Sequence, residues 1–183
     1  MLQRLRSLAR RGLNRVEAVL HPGRRRRALA RVRARPTRPL VFVCLGNICR
    51  SPFAETWMRA RDPERAESYR SAGFMRGGRS SPDTAIAVSR DEFGLDLTPH
   101  VSRSIGDMPP VDPLWVVMEH VHLRRLARLG IRAGDVLLLG DLDPVPVERR
   151  AILDPYGKSP EVFVDTYRRV VRCLEILEQA RGG

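Results

Sequence analysis

A chain of 183 residues, 43% of them apolar, is long enough for one domain and its core, and three cysteines rule out a disulfide-dense scaffold and fit a reducing cytoplasm. No run approaches the roughly 18 apolar residues that a membrane-spanning helix needs. The net charge of +12 sits at one end: residues 1–38 hold thirteen arginines and one acid, Glu17, whereas residues 39–183 hold twenty basic and twenty acidic residues and are neutral.

Residues 1–38 therefore read as an arginine-rich extension and residues 39–183 as the working domain. Leu2, Leu5, Ala9, Leu13, Val16 and Leu20 recur at helical spacing between arginines, and His21-Pro22-Gly23 is expected to end that helix. Arg24–Arg27 and further Arg and Ala residues follow, up to Pro36 and Pro39. No uninterrupted apolar core follows the arginines, so neither a secretory nor a twin-arginine export signal is expected. Three roles for the tail stay open: a solvated arm, a basic amphipathic helix on anionic lipid, or nucleic-acid binding or organelle targeting. The absence of an aromatic residue to stack on bases counts against nucleic acid.

From Pro39 the pattern alternates strand and helix. Strands are predicted over 40–45, 68–72, 114–118 and 135–139. Helices are predicted over 52–61, 83–93, 119–129 and 161–179, the last with Phe163, Tyr167, Val170, Val171, Leu174 and Leu177 inward. Such alternation builds a three-layer α/β fold, a four-stranded parallel sheet with helices on both faces, and sets the working site at the carboxyl ends of the strands.

The first strand runs directly into Cys44-Leu45-Gly46-Asn47-Ile48-Cys49-Arg50-Ser51-Pro52, a cysteine and an arginine six residues apart at a strand-to-helix turn. Gly46 and Asn47 tolerate the positive φ of a tight loop that turns backbone N–H groups inward on an anion. Ser51 suits the N-cap and Pro52 the first helical position, aiming the helix's positive end at the same point. Arg50 adds a fork of donors matched to phosphate oxygens. In such a place a thiol ionises readily, which makes Cys44 a nucleophile for phosphorus. A structural cysteine, or half of a Cys-x4-Cys metal pair, is the alternative. Only Cys173 remains as a further cysteine and the four histidines complete no ligand set, so neither a metal nor another cofactor is expected. Displacing an alkoxide or phenoxide also takes a proton donor, and the candidate is Asp154 in Asp154-Pro155-Tyr156, where Pro155 stiffens the loop. Two other Asp-Pro pairs, Asp112-Pro113 and Asp143-Pro144, read as turns.

Residues 43–52, Val-Cys-Leu-Gly-Asn-Ile-Cys-Arg-Ser-Pro, resemble the signature of the low-molecular-weight protein tyrosine phosphatases, and the similarity runs from residue 39 to about 180. Ser71-Ala72-Gly73, His100-Val101-Ser102-Arg103, Val117-Met118-Glu119 and Asp154-Pro155-Tyr156 are similar to further motifs of that family. The resemblance implies the flavodoxin-like phosphotyrosine phosphatase I fold and a metal-independent hydrolysis of phosphotyrosine. In it Cys44 is the nucleophile, Arg50 the phosphate clamp and Asp154 the general acid and then base. Ser51 stabilises the thiolate. Asn47, Ser71 and His100 hold the loop, Leu45 to Cys49 wrap the phosphate, Cys49 is a redox partner of Cys44, and Tyr156 lines the substrate ring. The implied partner is a phosphotyrosine protein, in bacteria often a tyrosine kinase, met in the cytoplasm or, through the basic tail, at the membrane surface.

Phe74 departs from the family pattern where a small residue is common, and Gly157 where some members carry a second aromatic; the tail has no counterpart in the minimal fold. Two rival functions share the fold. Thioredoxin-coupled arsenate reduction needs two further cysteines close together, and only Cys173 is left. Arginine-phosphate phosphatases tend to carry Thr at the position of Ile48, whose apolar side chain favours an aryl ring.

Overall fold

The computed structural model describes residues 2–109, 112–147 and 149–182, with side chains from residue 16 onward. Its sheet has four parallel strands, β1 (Leu40–Cys44), β2 (Tyr69–Gly73), β3 (Leu114–Val117) and β4 (Val136–Leu138), in the order β2-β1-β3-β4. The helices are α1 (Leu2–Arg33), α2 (Arg50–Arg61), α3 (Asp83–Phe93), α4 (His120–Arg128) and α5 (Pro160–Gly182). The strand and helix positions of the body match the reading from sequence to within two or three residues at each end.

Alternation along β1 sorts the core into two sides. Leu40, Phe42 and Cys44 face the side filled by Phe53, Met58, Phe163, Tyr167, Val170, Leu174 and Leu177 of α2 and α5. Val171 is only partly buried there. Val41 and Val43 face the other side with Ala72, Val117, Leu126 and Leu138, under α4. All five residues of β1 are buried, as befits a central strand covered on both faces. The chain passes from β1 outward to β2, then returns across to β3 on β1's other flank. The carboxyl ends of β1 and β3 therefore meet where the strand order reverses, the place where α/β sheets open a crevice.

The tail departs from expectation. His21-Pro22-Gly23 does not end the first helix, which continues through Pro22 to Arg33. A proline inside a helix costs about 3 kcal/mol. Packing offsets this. Val32 is 1% exposed and Ala28 joins the main core, an aliphatic burial of about 2 kcal/mol for the valine alone. His21 is buried as well, its Nε2–H donating to the carbonyl of Asp143 at 2.8 Å. Arg31 donates to the carbonyl of Val136. The expected apolar face of Leu2, Leu5, Ala9 and Leu13 lies outside the described side chains.

Asp143-Pro144 is more than a turn. The Asp143 carboxylate is buried and held by Arg172 (2.9 Å twice) and Arg169 (3.1 Å) of α5. Burial alone would raise its pKa, but those arginines hold it below the usual carboxylate range.

Candidate active site

Cys44 is the last residue of β1 and stands at the floor of a cleft of about 240 Å³. Leu45, Gly46, Ile48 and Cys49 line that cleft from the loop, Met75 and Arg79 from one wall, and Asp154 and Tyr156 from the other. Two donors converge on the sulfur: the Asn47 backbone N–H at 3.2 Å and the Ser51 hydroxyl at 3.0 Å. Ser51 Oγ already accepts a hydrogen from Asn47 Nδ2 at 2.9 Å, which leaves its own proton for the sulfur.

Asn47 organises the loop. It alone among the described non-glycine residues has a positive φ, 54°, a conformation asparagine takes readily. Its Oδ1 accepts the Arg103 N–H at 2.7 Å, which fixes the orientation of the amide. Its Nδ2 donates to Ser71 Oγ at 2.8 Å as well as to Ser51, and Ser71 in turn donates to Glu55 Oε2 at 2.5 Å. The Asn47 carbonyl accepts His100 Nε2–H at 2.7 Å. Burial depresses the His100 pKa, so the ring is neutral at pH 7, with its proton on Nε2. Ser71 and His100 thus bond Asn47 from behind the loop, and neither lines the cleft.

Two local readings need correction. Ser51 is not the N-cap: α2 starts at Arg50 with Cys49 as its cap and no side-chain capping bond, and the Ser51 hydroxyl, one residue into the helix, is turned to Cys44. Gly46 does not take a positive φ either. Its lack of a side chain is a loose requirement: a Cβ there would stand 3.0 Å from Arg79 Nη2, the far end of a flexible side chain that a shift of a few tenths of an ångström clears. Gly73 shows the same requirement more severely, with an added Cβ 2.8 Å from Asn47 N and 2.9 Å from Leu45 O.

Arg50 is wholly buried behind the loop. Nη1 donates to Glu119 Oε1 at 2.7 Å and to the Ile152 carbonyl at 2.8 Å. Nη2 lies 2.6 Å from Asp154 Oδ2 as an ion pair whose angle falls short of a hydrogen bond, and Nε has no protein acceptor. The fork is therefore oriented by Glu119 with the three N–H groups of Nε and Nη2 not hydrogen-bonded, which suits a phosphate oxygen. The Asp154 loop is tied to the site through Ile152: its N–H donates to Met118 O at 2.8 Å at the end of β3, while its carbonyl holds Arg50. Asp154 is partly exposed, and Tyr156 is 61% exposed at the rim.

Several contributors were not foreseen. Glu55 takes both carboxylate bonds of Arg103 Nη2 at 3.0 Å beneath Ser71. Tyr167 stacks on Phe53 at 3.8 Å and donates its hydroxyl to the Cys49 carbonyl at 3.2 Å, fixing the loop from α5. Arg79 donates to the Gly46 carbonyl at 2.9 Å. His122, fully buried beside Glu119, stacks on Phe74, which keeps that departure from the family pattern out of the cleft. Its pKa falls to about 4 through burial and then the Arg50 charge. The Cys49 thiol is pushed up to about 12 by burial and then by Cys44. Among the described residues no three His, Cys, Asp or Glu side chains converge as metal ligands.

Comparison with known proteins agrees with this geometry. Residues 39–180 match the family model for low molecular weight phosphotyrosine protein phosphatase. The low molecular weight protein-tyrosine-phosphatase Wzb of Escherichia coli K12 is 34% identical over 143 residues, 77% of this chain and 93% of Wzb. The human low molecular weight phosphotyrosine protein phosphatase is 32% identical over 158 residues, 79% of this chain and 96% of that protein. The crystal structure of the low molecular weight protein tyrosine phosphatase from T. tengcongensis superposes with a TM-score of 0.67 at 26% identity, covering 78% of this chain and 98% of that one. The chain belongs to the low-molecular-weight phosphotyrosine protein phosphatases, and it is a hydrolase.

Proposed function

We propose that this enzyme hydrolyses phosphotyrosine in proteins through a phosphocysteine intermediate on Cys44, without a metal ion. The observation that carries the reading is the convergence on one sulfur of the Ser51 hydroxyl and the Asn47 N–H, in a cleft shared with Asp154. Cys44 Sγ attacks phosphorus as the bond to the tyrosyl oxygen breaks, and Asp154 gives that oxygen its proton. Arg50 and the loop N–H groups hold the three equatorial oxygens. Water then attacks phosphorus, Asp154 takes its proton, and the S–P bond breaks to release inorganic phosphate and the free thiolate. Ile48 and Tyr156 offer apolar contact to the aryl ring. The natural substrate is a phosphotyrosine protein, of which an autophosphorylated bacterial tyrosine kinase is one kind.

The test is turnover of p-nitrophenyl phosphate and of phosphotyrosine, phosphoserine and phosphoarginine peptides in EDTA. Phosphotyrosine should be the best peptide, and Cys44→Ser should abolish turnover. Undiminished turnover by Cys44→Ser rejects the mechanism, and preference for phosphoarginine rejects the substrate.

A further inference from the structure

We propose that α1 is a membrane-surface element whose outward face docks on anionic lipid and holds the phosphatase body against a bilayer. The inference is independent of the chemistry assigned to Cys44. Val16, Val19 and Leu20 are 54%, 78% and 47% exposed, three aliphatic side chains spaced as one helical face. At 3.6 residues per turn the same side carries Arg27 further along, exposed, with Arg26 and Arg33 at its edge, while Arg31 turns back to the Val136 carbonyl of the body. The opposite side of the helix, through His21, Ala28 and Val32, is fixed to the body. The outward face therefore keeps a constant relation to the body.

The charges favour lipid as the occupant. The one acid of residues 1–38, Glu17, is paired with Arg24, and Arg31, Arg35 and Arg38 bond to the body, so among the described side chains Arg26, Arg27 and Arg33 are left as positive charge beside the apolar strip. The body contributes no net charge. An anionic bilayer offers both complements at once, headgroup charge for the arginines and acyl boundary for Val16, Val19 and Leu20. Among the described residues no helix is long and apolar enough to cross a membrane, so α1 lies on the surface. Nucleic acid offers phosphate and no partner for the aliphatic strip, and residues 1–38 have no aromatic side chain to stack on bases. A second copy would bring like charge against like.

The experiment is co-sedimentation of the full chain with vesicles of phosphatidylcholine alone or mixed equally with phosphatidylglycerol. Binding is expected to the mixed vesicles only, with release at about 0.5 M salt. Each arginine near the surface contributes about fivefold in affinity, so R26Q/R27Q/R33Q should weaken binding roughly a hundredfold. V19E/L20E should lose binding while p-nitrophenyl phosphate turnover stays at the parent value. The proposal is overturned by equal sedimentation with both vesicle types, by unchanged binding by both variants, or by a lipid-free dimer in light scattering that V19E/L20E dissolves. Tighter binding to a single-stranded DNA oligonucleotide than to the mixed vesicles also overturns it.

Discussion

At the scale of single residues, the site is a set of hydrogen atoms with fixed destinations. Asn47 donates to Ser51 and Ser71, Ser51 to Cys44, Ser71 to Glu55, and the Arg103 N–H fixes the Asn47 oxygen. Each link leaves its neighbour one direction to point in, and the result is a sulfur that accepts twice. Asp154 stands apart from this network, held only by Arg50 and its own loop. Asp154→Ala should therefore leave folding intact and lower kcat roughly 10²–10⁴-fold, most for aryl phosphates with poor leaving groups. Steady-state kinetics across substituted phenyl phosphates read that slope. His122 sets a pH dependence of stability. Its folded pKa of about 4 lies below its ordinary value of 6.5, so the folded state favours the neutral ring. Its contribution is complete above pH 6.5 and is lost as the pH falls from 6.5 towards 4, by about 3 kcal/mol. Urea unfolding at pH 7.5 and 4.5 should show His122→Leu losing less stability than the parent between the two.

At the scale of elements, the loop is positioned by its neighbours. The end of β2 abuts it so closely that any Cβ on Gly73 meets the backbone at Leu45 and Asn47. Backbone cannot swing aside as a long side chain can. Gly73→Ala should cost roughly 1–3 kcal/mol and displace the Asn47 N–H from the sulfur, lowering kcat along with Tm. A parent-like Tm together with parent-like kcat would show that this contact does not set the loop. The α5 helix acts from the other side through the Tyr167 hydroxyl on Cys49 O. The acid loop hangs from β3 at Ile152, so two strands and two helices converge on seven residues.

At the scale of the whole molecule, the arginine-rich helix has two faces with different work. One joins the core through Ala28 and Val32 and holds Asp143 through His21; the other stays exposed and cationic. Deleting residues 1–36 should lower Tm by roughly 5–15 °C through loss of that buried face and its hydrogen bonds. The loop of residues 44–50 has no contact with this helix among its described hydrogen bonds, so turnover per folded molecule should persist. Calorimetry with active-site titration separates the two effects, and an unchanged Tm would show that the helix packs without stabilising.

The strand–helix alternation, the Cys44–Arg50 loop and the Asp154 loop were legible because each is local: a buried pentapeptide, a turn rich in Gly and Asn, an arginine at the helix start, an Asp before a proline. Periodicity and backbone preference act over a few residues, and the sequence displays them in order. Glu55 and Arg79 carried no such signal, and the sequence placed Glu119 only in a motif and Tyr167 only on an inward face, since what matters is which distant atom each one reaches. Pro22 misled for the same reason. Its local rule is a helix stop, and burial of residues further along the same helix outweighed it. Sequence alone thus determined the order of elements and the family motifs of residues 43–52 and 154–156. Tertiary structure decided how Asn47 and Ser51 are aimed and which face of the first helix is left outside, because those depend on contacts between segments far apart in the chain.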